Sequence, residues 1–294
     1  MQAPSAQISL PGPAESSLNT GVPEPLPRTT KKLSATKRLF LISPVRKALL
    51  LAALAIFWQV YAEMLNNELV LPTFTSTVTA FLRSCLDGEL TNNIFNSLKI
   101  LCVAYSMGIV FAGLLTTLAV TTRIGTDLLE LCTGMFNLLP AIALLPLALL
   151  WFGLGYASII FVMVHSVIWP LSLNIYAGFT GVSPTLRMVG RGYGLSGPGF
   201  IFKILVPAAF PHILTGLKIG WAFSWRTLIA AELVFGTSSG GGGIGWFIFE
   251  KKNQLEIAEL FSGLMAIIII GVLVENFFFK TLENRTIQKW GMKL

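Results

Sequence analysis

The sequence predicts an all-α, polytopic membrane protein with about six transmembrane helices, and three observations support this prediction. The 294 residues are 54% hydrophobic, with a mean hydropathy of +0.72. Charged residues make up only 12% of the chain, whereas soluble domains carry about 25%. Apolar runs long enough to cross about 30 Å of hydrocarbon recur along the chain. A water-soluble globular fold is therefore excluded, as is disorder along most of the length.

Six apolar runs are the candidate membrane spans. They cover residues 47–65, 96–121, 128–151, 155–177, 208–235 and 258–280. Residues 1–46 are rich in Pro, Ser and Thr, end in a basic stretch and are predicted to form a disordered cytoplasmic tail, with a short amphipathic helix near Leu39–Ile42. The membrane domain is expected to cover residues 47–294, including a long cytoplasmic loop at 178–207. A helix over Ser76–Leu86 is expected to lie along the membrane surface, because its apolar residues recur at helical spacing.

The basic residues set the predicted orientation. With the amino terminus inside, 15 of the 21 lysines and arginines fall in cytoplasmic segments, and the outer loops hold only Arg83, Lys251 and Lys252. Lysine and arginine accumulate on the cytoplasmic side of membrane proteins, so both termini are placed in the cytoplasm. The net charge of +7 is therefore explained by membrane topology and does not indicate a nucleic-acid partner.

Three basic residues, Lys99, Lys218 and Arg226, fall within the spans themselves. A charge at a helix centre costs about 2.5 kcal/mol or more, so each needs a cavity or a partner. Arg226 is a candidate for the translocation path, where it would attract an anion while Ser224 and Thr227 offer hydroxyl groups. Pairing of Arg226 inside the protein, or extension of its side chain to the interface, is an equally weighted alternative. Glu232 lies six residues further on, which is the wrong helical spacing for a pair with Arg226.

The third span contains Asn137, Pro140 and Pro146. Proline removes a helical hydrogen bond, so both prolines are expected to bend this span. Asn137 and Pro140 are candidates for lining the path, although a kink needed only for packing is the favoured interpretation. The glycine-rich turn Ser238–Gly245 either approaches the path closely as an outer gate or simply connects two elements.

No constellation typical of covalent chemistry appears in the sequence. The chain has no paired carboxylates, no serine–histidine set and no metal-ligand spacing, so no catalytic residue, no metal site and no enzymatic activity are predicted. Its three cysteines are interpreted as structural, and His165 as an interior histidine with its hydrogen bonds satisfied.

The loop at 178–207 has the pattern of two short helices joined by a glycine-rich corner. Ser183 followed by Pro184 is a typical helix start, and Gly194, Gly197, Pro198 and Gly199 are expected to interrupt the helix that follows. Such a projection suits docking on another protein, and an ordinary amphipathic connector is an equally weighted alternative.

The residues of this loop resemble a motif of a known family. Permease subunits of ATP-binding-cassette importers carry Glu-Ala-Ala, three residues, Gly, nine residues, Ile, one residue, Leu-Pro. Gly194, Ile204, Val206 and Pro207 match that spacing, with valine in place of leucine. The Glu-Ala-Ala positions hold Met188, Val189 and Gly190, which predicts looser or differently paired docking. Two further blocks, at residues 138–155 and 207–233, resemble the nitrate, sulfonate and taurine branch of these permeases.

The resemblance covers about residues 47–294 and implies a type I importer permease in a bacterial inner membrane. It implies a pair of permease copies forming the path, two ATPase subunits bound to the cytoplasmic loops, and a separate solute-binding protein that delivers a small anion. Docking would involve Arg191 together with the residues of the loop motif. The chain lacks the Gly-x-x-x-x-Gly-Lys-Ser/Thr run that cradles phosphates, so ATP and Mg²⁺ are expected to bind the partner ATPases. A secondary carrier driven by an ion gradient is the alternative, although its usual inverted repeats are not evident.

Overall fold

The computed structural model describes residues 43–235 and 242–288, and within these ranges the chain is helical without strands. The contacts divide the chain between Ala52 and Ala53, inside the first helix. The packing described below concerns residues from Ala53 onward. The predicted tail and the helix near Leu39–Ile42 lie outside the described ranges, except that the first helix begins at Ser43, four residues before the predicted boundary.

Eleven helices are named here in chain order. They are α1 (Ser43–Leu65), α2 (Phe74–Leu86), α3 (Glu89–Thr121), α4 (Arg123–Phe136), α5 (Leu145–Phe152, preceded by a 3₁₀ turn at Ala141–Leu144), α6 (Tyr156–Thr180), α7 (Pro184–Gly192), α8 (Gly197–Ala208), α9 (Phe210–Phe235), α10 (Ile244–Asn253) and α11 (Ile257–Leu273). The last helix continues through Gln288 with two π-helical stretches, Val274–Phe279 and Asn284–Gln288.

Four of these helices are long and apolar enough to cross a membrane, and two bent helix pairs also qualify, which gives up to six spans in the described chain. The single helices are α1, α3, α6 and α11 with its continuation. This agrees with the predicted all-α membrane fold. A helix is also present where one was predicted over Ser76–Leu86. It is α2, which begins after Thr73, whose hydroxyl accepts a hydrogen bond from the Ser76 amide.

The third predicted span is broken rather than continuous. Helix α4 ends at Phe136, the chain turns at Pro140, and the second half runs at 90° to the first. Pro140 sits at the break, as expected. Pro146 does not bend the span, because it lies in the first turn of α5, where the missing amide hydrogen has no helical partner to lose.

Helix α6 is the centre of the packing, and it lies against both α3 and α9. Small residues make this close approach possible. A methyl group added at Gly108 of α3 would lie 2.7 Å from the Cβ of Val167, and one at Gly216 of α9 would lie 2.8 Å from the Cβ of Asn174. Gly216 and Gly220 form a Gly-x-x-x-Gly pair, the spacing that brings membrane helices together.

Candidate functional site

A cavity of about 170 Å³ lies where the third span is broken. It is lined by residues from the break, from α6 and from α9: Phe136, Asn137, Leu138, Leu139, Pro140, Ala141, His165, Ser166, Trp169, Pro170, Phe223 and Thr227. Three predicted path residues, Asn137, Pro140 and Thr227, therefore share one wall although they are distant in sequence. None of these lining residues carries a formal charge when His165 is neutral.

Two polar side chains of this cavity have buried atoms without a hydrogen-bond partner in the described chain. They are both ring nitrogens of His165 and the indole nitrogen of Trp169. His165 was expected to be satisfied, and that prediction is wrong. Phe136 packs against both rings, stacked on Trp169 at 5.1 Å between centroids and edge-on to His165 at 6.1 Å. A buried donor without a partner is unfavourable, so these nitrogens are candidates to bind an acceptor from outside the chain.

Pro170, within α6, leaves the backbone carbonyl of Ser166 without its usual helical donor, and both residues line the cavity. Pro170 has no amide hydrogen, so it cannot donate the usual helical bond to the carbonyl of Ser166. The Ser166 hydroxyl donates to the carbonyl of Met163 at 2.7 Å, and the Asn174 amide donates to the carbonyl of Pro170 at 2.7 Å. Both bonds use other carbonyls, so the Ser166 carbonyl is left without the helical donor that a non-proline residue at position 170 would supply.

The other two candidate path residues are placed differently. Ser224 is fully buried and does not line the cavity, whereas Arg226 is exposed and makes no hydrogen bond or ion pair to the residues that the structure describes. Ser224 and Thr227 therefore do not share the exposed face of Arg226. Lys218, another of the three basic residues within the spans, has a partner, because its Nζ lies 2.7 Å from Glu283.

The loop at 178–207 forms the expected pair of short helices, α7 and α8, joined by a turn at Gly194. Gly194 has φ +72°, its amide donates to the carbonyl of Arg191 at 2.9 Å, and the Leu195 amide donates to that of Gly190 at 3.1 Å. This is the Schellman arrangement that ends a helix at a left-handed glycine. Gly197 and the two residues after it were expected to prolong the interruption. They instead open α8, with Pro198 in its first turn.

Arg187 ties α7 to the end of α6. Its guanidinium donates to the carbonyls of Phe179 and Thr180 (3.3 Å), which belong to the last turn of that helix, and of Val182 (3.1 Å), just after it. The last carbonyls of a helix lack the amide donors of a following turn, and a cation is favourable at a helix carboxyl end. Arg187 was not among the predicted loop residues, although a basic residue just past a helix end is a recognisable signal.

The predicted docking residues of the loop divide into two sets. Met188 and Val189 are 65% and 47% exposed, and Arg191 and Pro207 are exposed as well. Gly190 is buried, and a methyl group there would lie 2.9 Å from Ile204. Gly190 and Ile204 thus hold α7 against α8. The exposed residues, Met188, Val189, Arg191 and Pro207, leave partly apolar surface uncovered, and Val206 is half-buried.

Glu232 lies in α9 and anchors the start of α10. Its carboxyl group accepts hydrogen bonds from the Ser97 hydroxyl at 2.7 Å and from the Gly245 amide at 2.8 Å, and the side chain is only 3% exposed overall. The Ser97 oxygen also accepts from the Ile244 amide at 2.9 Å. Glu232 therefore has partners on α3 and α10 rather than Arg226. Of the glycine turn predicted at Ser238–Gly245, residues 238–241 lie outside the described ranges, and Ile244 and Gly245 are helical.

Lys251 joins three elements at the far end of α10. Its Nζ lies 2.7 Å from Glu259, 2.9 Å from Glu256 and 3.3 Å from Glu89. Burial alone would lower the pKa of Lys251, but the hydrogen bonds to Glu259, Glu256 and Glu89 together raise it above its ordinary value. A raised lysine pKa stabilises the fold below the unfolded-state value, and this contribution is lost only as the pH rises through the folded-state value. The cluster is therefore intact at neutral pH.

Comparison with known proteins gives one family and several relatives. The family of binding-protein-dependent transport system inner membrane components matches residues 106–289. A nitrate import permease of Synechocystis is 32% identical over 247 residues, covering 81% of this chain and 88% of the relative. A putative aliphatic sulfonates transport permease of Bacillus subtilis is 29% identical (83% and 87% covered). A taurine transport system permease of Escherichia coli is 27% identical (76% and 81% covered).

Replacement of Glu232 by alanine is expected to destabilise the protein. The Ser97 hydroxyl and the Gly245 amide would lose their acceptor inside the packing, at about 1–3 kcal/mol each. A lower midpoint of thermal unfolding, followed by tryptophan fluorescence in detergent, is the measurement. Glu130→Ala, at an exposed site on α4, is the matched control and should change stability by no more than about 0.5 kcal/mol. Equal midpoints for the two variants would contradict the anchoring role.

Proposed function

The chain belongs to the family of binding-protein-dependent transport system inner membrane components, and from this premise we propose that it forms the membrane path of an ATP-driven importer for a small anion. The proposed cargo is of the nitrate, sulfonate or taurine type. The relatives named for nitrate, aliphatic sulfonates and taurine support this choice, because all three cargoes carry a compact group of electronegative oxygens. The observation that carries the proposal is the family match, and it replaces the alternative of a gradient-driven carrier.

The proposed partners follow from the exposed face of α7. Met188, Val189 and Arg191 present apolar and basic surface on a short helix, which suits a groove on an ATPase subunit that binds ATP and Mg²⁺ itself. We propose two such ATPases, a second copy of this chain, and a solute-binding protein on the opposite side of the membrane. In this arrangement both termini and the loop at 178–207 are cytoplasmic, in a bacterial inner membrane.

The proposed coupling runs from α7 to α6. Closure of the ATPase dimer would displace α7, and Arg187 would pass that displacement to the carboxyl end of α6 through three carbonyl contacts. Helix α6 carries His165 and Trp169 in the cavity wall, so its movement would reshape the cavity. A rigid helix that links two sites is a physical basis for alternating access.

Uptake by the complete transporter in liposomes tests the function. Labelled nitrate, taurine or an alkanesulfonate is expected to accumulate only when ATP faces the loop side, and accumulation should persist when ionophores collapse the ion gradients. The control is the same transporter without ATP. Uptake that needs no ATP but stops with the ionophore would support a secondary carrier and overturn the proposal.

Arg187→Met is expected to uncouple transport from ATP hydrolysis. The methionine keeps much of the side-chain length but cannot donate to the carbonyls of α6, so loop movement would no longer reach the cavity. Transported solute per ATP should fall several-fold while ATP hydrolysis continues. Lys203→Met, at an exposed site on α8, is the matched control and should leave the ratio unchanged. An unchanged ratio in Arg187→Met would contradict the coupling route.

Arg226 is proposed to attract the anion toward the path, because it is an exposed cation on a spanning helix without a partner in the described chain. Arg226→Ala is expected to raise the KM for uptake with a smaller effect on stability, and to weaken the salt dependence of uptake. Lys99→Ala, an exposed cation on α3 that lies over the Phe95 ring, is the control. If transport and ATPase coupling both stay at wild-type levels in Arg226→Ala, this role is abandoned.

A further inference from the structure

We propose that the cavity at the broken third span is an oxyanion-binding site of this chain, formed by the neutral donors of Trp169, His165 and Thr227. The inference rests on the proposed function, because it assigns the cargo class a place within the permease. It adds a binding step in this subunit to any selection made by a solute-binding protein.

The first argument is that the polar side chains of the cavity are hydrogen-bond donors. The indole nitrogen of Trp169 only donates, and a neutral imidazole has one donating nitrogen. In the described chain these nitrogens are buried without partners. The Thr227 hydroxyl lines the same cavity and is 9% exposed as a residue. A ligand with several acceptor oxygens would satisfy these donors together.

The second argument is charge. No aspartate or glutamate is among the described lining residues, so an anion in the cavity meets no carboxylate. The edges of aromatic rings carry partial positive charge, and Phe136, His165 and Trp169 are mutually packed around the cavity. No lysine or arginine lines it either, so binding would be weak. Weak binding is what a transit site needs, because the cargo has to leave as well as enter.

The third argument is size and position. A volume of about 170 Å³ far exceeds the roughly 10–15 Å³ that a cavity needs to hold one water, so a small oxyanion fits. The wall includes the break at Pro140, and interrupted helices at membrane depth are tolerated where they line a polar cavity. The broken span and the unpartnered donors thus point to the same place.

Cysteine protection in the complete transporter tests the site without measuring transport. Cys85, Cys102 and Cys132 are first replaced by alanine, and Leu139→Cys then places one thiol in the wall while keeping every donor. The thiol is labelled with a methanethiosulfonate reagent, in the presence of nitrate, of ethanesulfonate or of chloride at equal ionic strength. Nitrate or ethanesulfonate should slow labelling by about threefold or more once its concentration reaches twice its Kd, and chloride should not.

Removal of the donors should remove this protection. In Trp169→Phe and in His165→Phe the labelling rate with nitrate or ethanesulfonate should approach the rate with chloride, and Thr227→Val gives a third, smaller change. His212→Phe is the matched control, since His212 is the other histidine of the chain and is exposed at the start of α9. Each variant is compared with its own rate in chloride, which separates loss of binding from altered folding.

The outcomes separate the site from the proposed function. The site is overturned if the Leu139→Cys thiol, with every donor kept, is labelled equally fast in nitrate, ethanesulfonate and chloride. This holds even if ATP-driven uptake of these anions occurs. Protection that survives in both Trp169→Phe and His165→Phe also overturns it. Protection that depends on both donors supports the site, even where uptake shows that another solute is the cargo.

Discussion

The close approach of α6 to its neighbours is the constraint on which both candidate sites depend. Gly108 on α3 and Gly216 on α9 leave no room for a side chain where Val167 and Asn174 pass. Without a hydrophobic driving force between helices in lipid, such small residues allow the van der Waals contact that holds membrane helices together. This contact fixes the rotation of α6, and the rotation decides that His165 and Trp169 face the broken span.

Helix α6 also links the cavity, which lies at its middle, to the Arg187 contacts at its carboxyl end. Arg187 binds carbonyls in the last turn of α6 and just after it, so side-chain hydrogen bonds as well as the connecting chain hold α7 to that helix. On the other side of the core, Glu232 binds α3 and α10 at once. The cavity therefore lies between two hydrogen-bonded attachments, which is the arrangement expected if movement at one end is to be felt at the other.

The sequence predicts the features that depend on local pattern. Apolar runs locate the spans, Ser183 and Pro184 start α7, and Gly194 interrupts the helical pattern where α7 ends. The features that it does not predict depend on distant contacts. Pro140 predicts a bend in the third span, but the 90° angle of that bend depends on how its two halves pack against α6. Ser97, the partner of Glu232, lies 135 residues away. His165 seemed an ordinary interior residue because its surroundings come from two other elements.

Arg226, the exposed cation, and the neutral cavity suit different steps of anion transport. A charge such as Arg226 acts over a Debye length, about 8 Å at physiological salt, and attracts anions of any shape. Neutral donors act only at hydrogen-bond distance, so they favour compact groups with several acceptor oxygens. A cation inside the cavity would bind the same groups more tightly and slow their release. With the charge outside the cavity and neutral donors within it, an anion can be captured and still be released. This arrangement suits a path that transports several related oxyanions.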